Sequence, residues 1–261
     1  MIHMKILLSN DDGIDASGIL AAKQAVSDFG ETILVAPSNQ QSGIGHALTL
    51  FEPLRVNEVI LADGDRGYGV SGTPTDAVTI GIFEILDEFP DFVISGINTG
   101  MNTGMSELTT SGTLGAAMEA ASFGIPTIAV SQHVSDDDLK FDEGEVKIDF
   151  SASRKVLKNL LEKVLKNGFP KGIDILNLNV PSSPDSFEPV IAPLGQRMYW
   201  PVVEKRYDPR GRQYYWINGD EYEGNPKDSD AYILDKENVP TITPLTLDMT
   251  HNIDYLRQWY G

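Results

Sequence analysis

The chain has 261 residues, with 38 Asp+Glu against 20 Lys+Arg, a formal net charge of −18 at pH 7, and no cysteine. That length fits one large domain with an appended extension, and 41% hydrophobic residues can fill its core, so disorder is excluded despite the charge. The acidic balance disfavours stable nucleic-acid partners. No apolar run reaches the ~18 residues of a membrane span. The missing cysteines remove disulfide scaffolds, thiolate zinc sites and thiol nucleophiles. With no signal-peptide pattern in Met1–Met4, a cytoplasmic protein is expected.

The first half alternates short apolar runs with helical patterns, which predicts βαβ units and a mostly parallel sheet. Met4–Ser9 reads as a buried strand stopping at Asn10-Asp11-Asp12-Gly13, and Ala16–Phe29 as a helix ended by Gly30. Thr32–Ala36 is a second strand, followed by the polar loop Pro37–Gly45. Thr75–Leu86 has helical spacing, Phe92–Ser95 is a short strand, and Gly96–Thr110 reads as a loop. Ser111–Phe123 is a small-residue helix and Thr127–Val130 a strand. The strand exits are rich in small polar residues, which places them at one sheet edge, where open α/β folds bind ligands.

Further on, Ser153–Asn167 is an amphipathic helix with a stripe of Leu157, Leu160, Leu161, Val164 and Leu165, and Asp174–Val180 alternates as a strand. Beyond Pro181, aromatics, Pro and Gly punctuate β-like stretches at Met198–Val203 and Gln213–Trp216, with Asp208-Pro209-Arg210-Gly211 as a hairpin turn. The aromatic tail helix His251–Tyr260 is expected to dock, with another subunit as one partner. Residues 1–184 read as the α/β core, 185–230 as a β-rich hairpin extension, and 231–261 as a return strand with a C-terminal helical tail, all one functional domain.

Asp11 and Asp12 lie directly after the first strand. Adjacent carboxylates repel each other, which a hard divalent cation relieves; the other reading is a turn in which one Asp caps the next helix. The loops holding Ser42 and Asn98 follow other strands, so carboxylate, hydroxyl and amide oxygens converge on one edge. With no cysteine and no histidine pair at ligand spacing, Mg²⁺ or Mn²⁺ suits such a set better than Zn²⁺. Thr110-Ser111-Gly112-Thr113 starts a helix and reads either as an anion site or as an ordinary cap. Thr73 likewise reads as a cap or a phosphate donor, and Asp76 as a partner of the helix dipole. His46 is the histidine beside a candidate loop. Lys205, Arg206, Arg210 and Arg212 read as an anion contact or as a charged hairpin face. There is no P-loop, and Ser42-Gly-Ile-Gly45 lacks the third glycine of a dinucleotide fingerprint.

Together these segments resemble the stationary-phase survival protein SurE family of metal-dependent nucleoside monophosphate phosphatases. The carrying residues are Ile6-Leu-Leu-Ser-Asn-Asp-Asp-Gly-Ile14, Ala36-Pro37 with Ser42-Gly43 and His46, Ser71-Gly-Thr-Pro74 with Asp76, and Ser95-Gly-Ile-Asn98-x-Gly100-x-Asn102. Ser111-Gly-Thr113, Asn177-x-Asn179-Val-Pro181, Asp208-Pro-Arg-Gly211 and Thr243-Pro-Leu245 follow in order. Gln41 and Thr110 depart from the pattern, where many members have a basic residue and a tyrosine. The pattern begins near Met4, which makes Met1–His3 an extension. The resemblance implies a Rossmann-like α/β core with a β-hairpin extension and dimers that exchange C-terminal segments, so a homodimer or homotetramer is expected. It makes Asp11, Asp12, Ser42 and Asn98 ligands of one divalent cation, with Asp11 and Asp12 as the catalytic pair. Asn102, Ser111, Gly112 and Thr113 become the phosphate side, with Asn10 and His46 nearby.

The expected reaction is hydrolysis of nucleoside 5′-monophosphates, and also of 3′-monophosphates, to nucleoside and phosphate. The attacking group is water or an oxygen of Asp11; water is favoured because a carboxylate engaged by a cation loses nucleophilicity. Two other readings use the same pocket, a polyphosphate-chain hydrolase and a protein that senses nucleotides without turnover.

Overall fold

The computed structural model describes residues 4–134 and 148–261; Met1–His3, expected to be an extension, lie outside them. The order of elements is β1 (Met4–Ser9), α1 (Ser17–Val26), β2 (Gly30–Pro37), β3 (Val56–Ile60), β4 (Arg66–Val70) and α2 (Pro74–Ile80), which runs into a π-helical turn at Gly81–Ile85. Next come β5 (Phe92–Thr99), α3 (Gly104–Thr110), α4 (Gly112–Ser122), β6 (Thr127–His133), α5 (Ser151–Asn167) and β7 (Ile175–Pro181). The chain closes with β8 (Val190–Ile191), β9 (Tyr199–Tyr207), β10 (Gln213–Glu221), α6 (Asp230–Lys236), β11 (Thr241–Leu245) and α7 (Ile253–Tyr260).

Nine strands form one sheet in the order β3-β4-β2-β1-β5-β6-β7-β11-β8. The run β4-β2-β1-β5-β6-β7 is parallel, while β3 on β4 and β11 on β7 are antiparallel. Parallel strands are covered on both faces. Accordingly β5 is buried along nearly all its length, and two apolar layers flank the sheet. One layer holds Ile19 and Val26 of α1 with Leu157 and Leu161 of α5; the other holds Val78 of α2 with Ala116 and Ala120 of α4. β1 lies between β2 and β5, so the connections diverge there. That switch point opens a crevice beyond the carboxyl ends of β1 and β5.

Several expectations change. α1 ends at Val26, and Gly30 starts β2 rather than stopping the helix, because a Cβ there would lie 2.1 Å from the Met4 carbonyl oxygen. α5 begins at Ser151, and its buried stripe takes Val156 in place of the exposed Leu165. The stretch expected to be a loop over 96–110 is largely regular. β5 continues to Thr99 past a bulge beside Gly96, and α3 forms over Gly104–Thr110. At Gly96, with φ +133°, a Cβ would meet the Val130 oxygen at 2.2 Å, so only glycine lets β5 keep pairing with β6. α3 is anchored by tertiary bonds: Gly104 N–H donates to Asp230 Oδ2 at 3.1 Å and Met105 N–H to the Gly195 carbonyl at 2.9 Å.

The β9–β10 ribbon is longer than expected and, among the described residues, pairs only with itself, turning where Asp208 Oδ1 accepts the N–H groups of Arg210 and Arg212. Its basic residues include two held by acidic neighbours, Arg206 on Glu204 and Arg212 on Asp208, each at 2.8 Å, as on a charged hairpin face. No residue of α7 is buried. Among the described residues, no helix is long and apolar enough to cross a membrane.

Candidate active site

Asn10 turns the chain out of β1. Its side chain is fully buried and closes a local ring, with Oδ1 accepting Gly13 N–H at 3.1 Å and Nδ2 donating to the Gly13 carbonyl at 3.0 Å. The amide expected near the substrate therefore shapes the loop. This turn presents Asp11 and Asp12 at the switch point. Thr113 Oγ1 donates to Asp11 Oδ1 at 2.5 Å, and Thr99 N–H donates to Asp12 Oδ2 at 3.0 Å.

Asp11 is 4% exposed. Burial pushes its carboxyl up to about 6, against the lowering effect of the Thr113 hydroxyl, and the Asp12 charge raises it further. Burial also raises Asp12, against the Thr99 N–H. Among the described residues, no cationic side chain is paired with either group. A buried carboxylate beside a half-buried one, supported by hydrogen bonds, is costly unless a counter-charge is supplied.

The other expected cation ligands lie beside this pair. Gln41 N–H donates to the Asp11 carbonyl at 2.7 Å, which seats the neighbouring Ser42 at the site; Ser42 is exposed, and its Oγ accepts from Gln40 Nε2 at 2.9 Å. Asn98 precedes Thr99, the residue that holds Asp12. Its Nδ2 donates to the Gly100 carbonyl at 2.8 Å, leaving Oδ1 as the acceptor end. Carboxylate, hydroxyl and amide oxygens thus gather at one strand edge, a donor set that fits a hard divalent cation. Among the described residues no three His, Asp or Glu side chains cluster for a metal, so the fit rests on these two carboxylates and neutral oxygens.

α4 begins against Asp11. A Cβ on Gly112 would meet Asp11 Cβ at 2.7 Å, so glycine permits this approach. Ser111 caps the helix, its Oγ accepting Leu114 N–H at 3.2 Å, and Thr113 is spent on Asp11. The hydroxyls expected at the phosphate are thus engaged in building the site. Thr73 and Asp76 likewise form a reciprocal capping box at α2.

Two expected residues sit in other networks. Asn102 donates through N–H to Asn179 Oδ1 and through Nδ2 to Ser131 Oγ, each at 2.8 Å, while its carbonyl accepts from Asn177 and Asn179. His46 Nε2 lies 2.9 Å from Glu119 Oε2, whose other oxygen accepts from Thr79. His46 is thus tied along the side of α4 and makes no bond to Asp11 or Asp12. Sequence reasoning gave no role to Thr99, Ser131 or Glu119. It quoted Asn177 and Asn179 only as a pattern, although two amides on one face of a buried strand signal a polar partner to be found.

The family model for "Survival protein SurE" matches residues 6–200. A protein of Methanobrevibacter smithii described as "5'-nucleotidase SurE" is 57% identical over 256 residues, covering 98% of this chain and 99% of that protein. One of the same description from Methanothermobacter thermautotrophicus is 62% identical over 217 residues, covering 83% of each. The crystal structure of the SurE protein from Aquifex aeolicus superposes with a TM-score of 0.78 at 35% identity, over 97% of both chains. With the family pattern spanning most of its length and running through the Asp11–Asp12 edge, the chain belongs to the SurE family.

Proposed function

We propose that the protein is a 5′-nucleotidase, hydrolysing nucleoside 5′-monophosphates to nucleoside and phosphate, with 3′-monophosphates as a second substrate class. The observation that carries this reading is the buried Asp11 facing the start of α4, with half-buried Asp12 beside it and, among the described residues, no cationic side chain against either. Asp11, Asp12, Ser42 and Asn98 are the residues that would hold one Mg²⁺ or Mn²⁺. When bound, such an ion supplies positive charge that stabilises the phosphoryl oxygens as the ester bond breaks.

The chain's own groups do the remaining work. Thr113 and Thr99 fix the orientation of the two carboxylates, so little reorganisation is needed when substrate arrives. The start of α4 directs its positive end toward the same point, with Ser111 defining the first turn and Gly112 letting that turn lie against Asp11. Asn102 is held rigidly by β6 and β7 and is assigned to the phosphate or the ester oxygen. Asn10 shapes the turn, and His46 pins the Ser42 loop to α4. Attack on phosphorus by water forms no covalent intermediate, whereas attack by Asp11 passes through an aspartyl-phosphate that a rapid acid quench would trap on the protein.

Residues 1–184 carry the chemistry in this reading, and 185–230 and 231–261 serve assembly. The β9–β10 ribbon exposes Trp216 and Ile217, and α7 exposes Leu256 and Trp259, which fits burial in a homodimer or homotetramer. The cysteine-free sequence fits the cytoplasm. The test is phosphate release from a nucleotide panel with EDTA and with added Mn²⁺ or Mg²⁺. Metal-dependent release is expected. Its absence across the panel favours a sensor, and preference for polyphosphate chains favours the polyphosphatase.

A further inference from the structure

The proposed phosphate site occupies the edge at β1 and β5, yet a nucleotide needs room for its nucleoside. A cavity of about 360 Å³ lies further along the same edge, between the end of β6, the loop before α3, the root of the β9–β10 ribbon and α6. That volume is in the range of small-molecule pockets. Met101 and His133 line it on the sheet side, and Met198, Glu221, Tyr222 and Asp235 on the other.

Covalent geometry ties this cavity to the phosphate site. Met101 immediately precedes Asn102, and His133 follows two residues after Ser131, which holds the Asn102 amide, so it lies on the same face of β6. β1 and β6 are separated by β5 alone, so the two strands whose ends carry the phosphate site and one wall of the cavity lie about 10 Å apart across the sheet, the scale of a nucleoside monophosphate from phosphorus to base.

The lining has the chemistry of a nucleoside. Tyr222 is fixed, its hydroxyl donating to Gln196 Oε1 at 2.7 Å and its ring stacked on Trp200 with centroids 6.2 Å apart. With the two methionines it offers flat and polarisable walls to a base. Glu221 and Asp235, both paired with Lys236, retain acceptor oxygens for base amino groups or ribose hydroxyls. Carboxylates at this end repel phosphate, so the nucleotide is oriented with its phosphate toward Asp11 and α4.

We infer that the cavity bounded by Met101, His133, Met198, Tyr222, Glu221 and Asp235 is the nucleoside subsite and sets base preference. This rests on the phosphomonoesterase reading above, and the test separates the two. Asp235 is exposed on α6, so Asp235→Trp fills the cavity from a position that tolerates bulk. Steady-state kinetics compare adenosine and guanosine 5′-monophosphates with p-nitrophenyl phosphate, which has no nucleoside. In Asp235→Trp the ratio of kcat/KM for nucleotide to that for p-nitrophenyl phosphate should fall at least about tenfold, through KM. Tyr222→Ala should lower it about 5- to 30-fold, the loss of one stacking partner. An unchanged ratio in both variants overturns the subsite. A wild-type protein without metal-dependent turnover of either phosphomonoester overturns the catalytic reading instead. Calorimetry with free adenosine and guanosine then still decides the cavity: binding that Asp235→Trp abolishes supports it, and binding absent from the wild type, or equal in both proteins, overturns it.

Discussion

The Asp11–Asp12 edge and the β9–β10 ribbon invert opposite halves of one rule. At the edge, Asn10, Asp11, Asn102 and Thr113 are polar and nearly or wholly buried; on the ribbon, Trp216 and Ile217 are apolar and 55% and 79% exposed. Burying an ionisable group costs several kcal/mol unless it is paired. Exposing apolar surface forgoes about 25 cal/mol per Å². In the readings proposed above, each departure is offset from outside the chain, by a cation at the edge and by a second copy at the ribbon. The contrast teaches that local anomalies of opposite sign mark different tasks, chemistry in one place and assembly in the other.

Breaking the edge should have the largest effect. Asp11→Asn removes one buried charge and is expected to lower turnover and metal affinity together by about 10²-fold or more, read by metal titration and initial rates. Near-normal activity with trace metal would sink the assignment. The ribbon is probed by Trp216→Glu with Ile217→Glu, which should weaken self-association by about 10²-fold, seen by light scattering over a dilution series. An unchanged mass at all concentrations would remove the ribbon from the interface.

The comparison is sharpened by pH. The raised pKa of Asp11, about 6 against an ordinary 3.8, means that its ionised form destabilises the folded chain without metal. That cost is fully present above about pH 6 and disappears as pH falls below the ordinary value. A cation requires the ionised form. The rise in Tm on adding Mn²⁺ should therefore be largest at pH 7.5 and shrink as pH falls through about 6, as thermal melts would show; a gain independent of pH would place the ion elsewhere. The smallest effect concerns the overall field of a chain with net charge −18. With metal saturating, added salt should leave nucleotide KM unchanged or lower it, because screening removes repulsion of an anionic substrate. A steep rise would instead reveal a basic entrance, with Lys205 and Arg210 the first to test.

Much of the core could be read directly from residue order. β1, β2, β5 and β6 were legible as apolar runs ending in small polar residues, because parallel buried strands need little beyond continuous apolar sequence. The β3–β4 hairpin, α3 and α6 were not. β3 is mostly exposed and lacks a continuous apolar run, and α3 contains Gly104, Thr109 and Thr110, poor helix formers held by bonds from Asp230 and the 195–196 backbone. Asp230 shows why such joints escape a linear reading. Buried at the start of α6, it accepts N–H groups from Gly104, Gly195 and Ala231, which lie far apart in sequence except for the last.

By itself, the order of residues determined the α/β class, the family pattern, and the loops that carry oxygen ligands, since periodicity and turn chemistry act over a few neighbouring residues. Only the tertiary structure decided what each polar group does. Thr113 orients Asp11, Ser111 caps α4, Asn10 closes its own turn, and His46 answers to Glu119. Hydrogen bonds within a few residues were within reach of motif reasoning, but the bonds from Thr113 to Asp11 and from His46 to Glu119 span 102 and 73 positions. The packing of α4 against the edge of β1 creates them, and that packing depends on how the whole sheet is assembled.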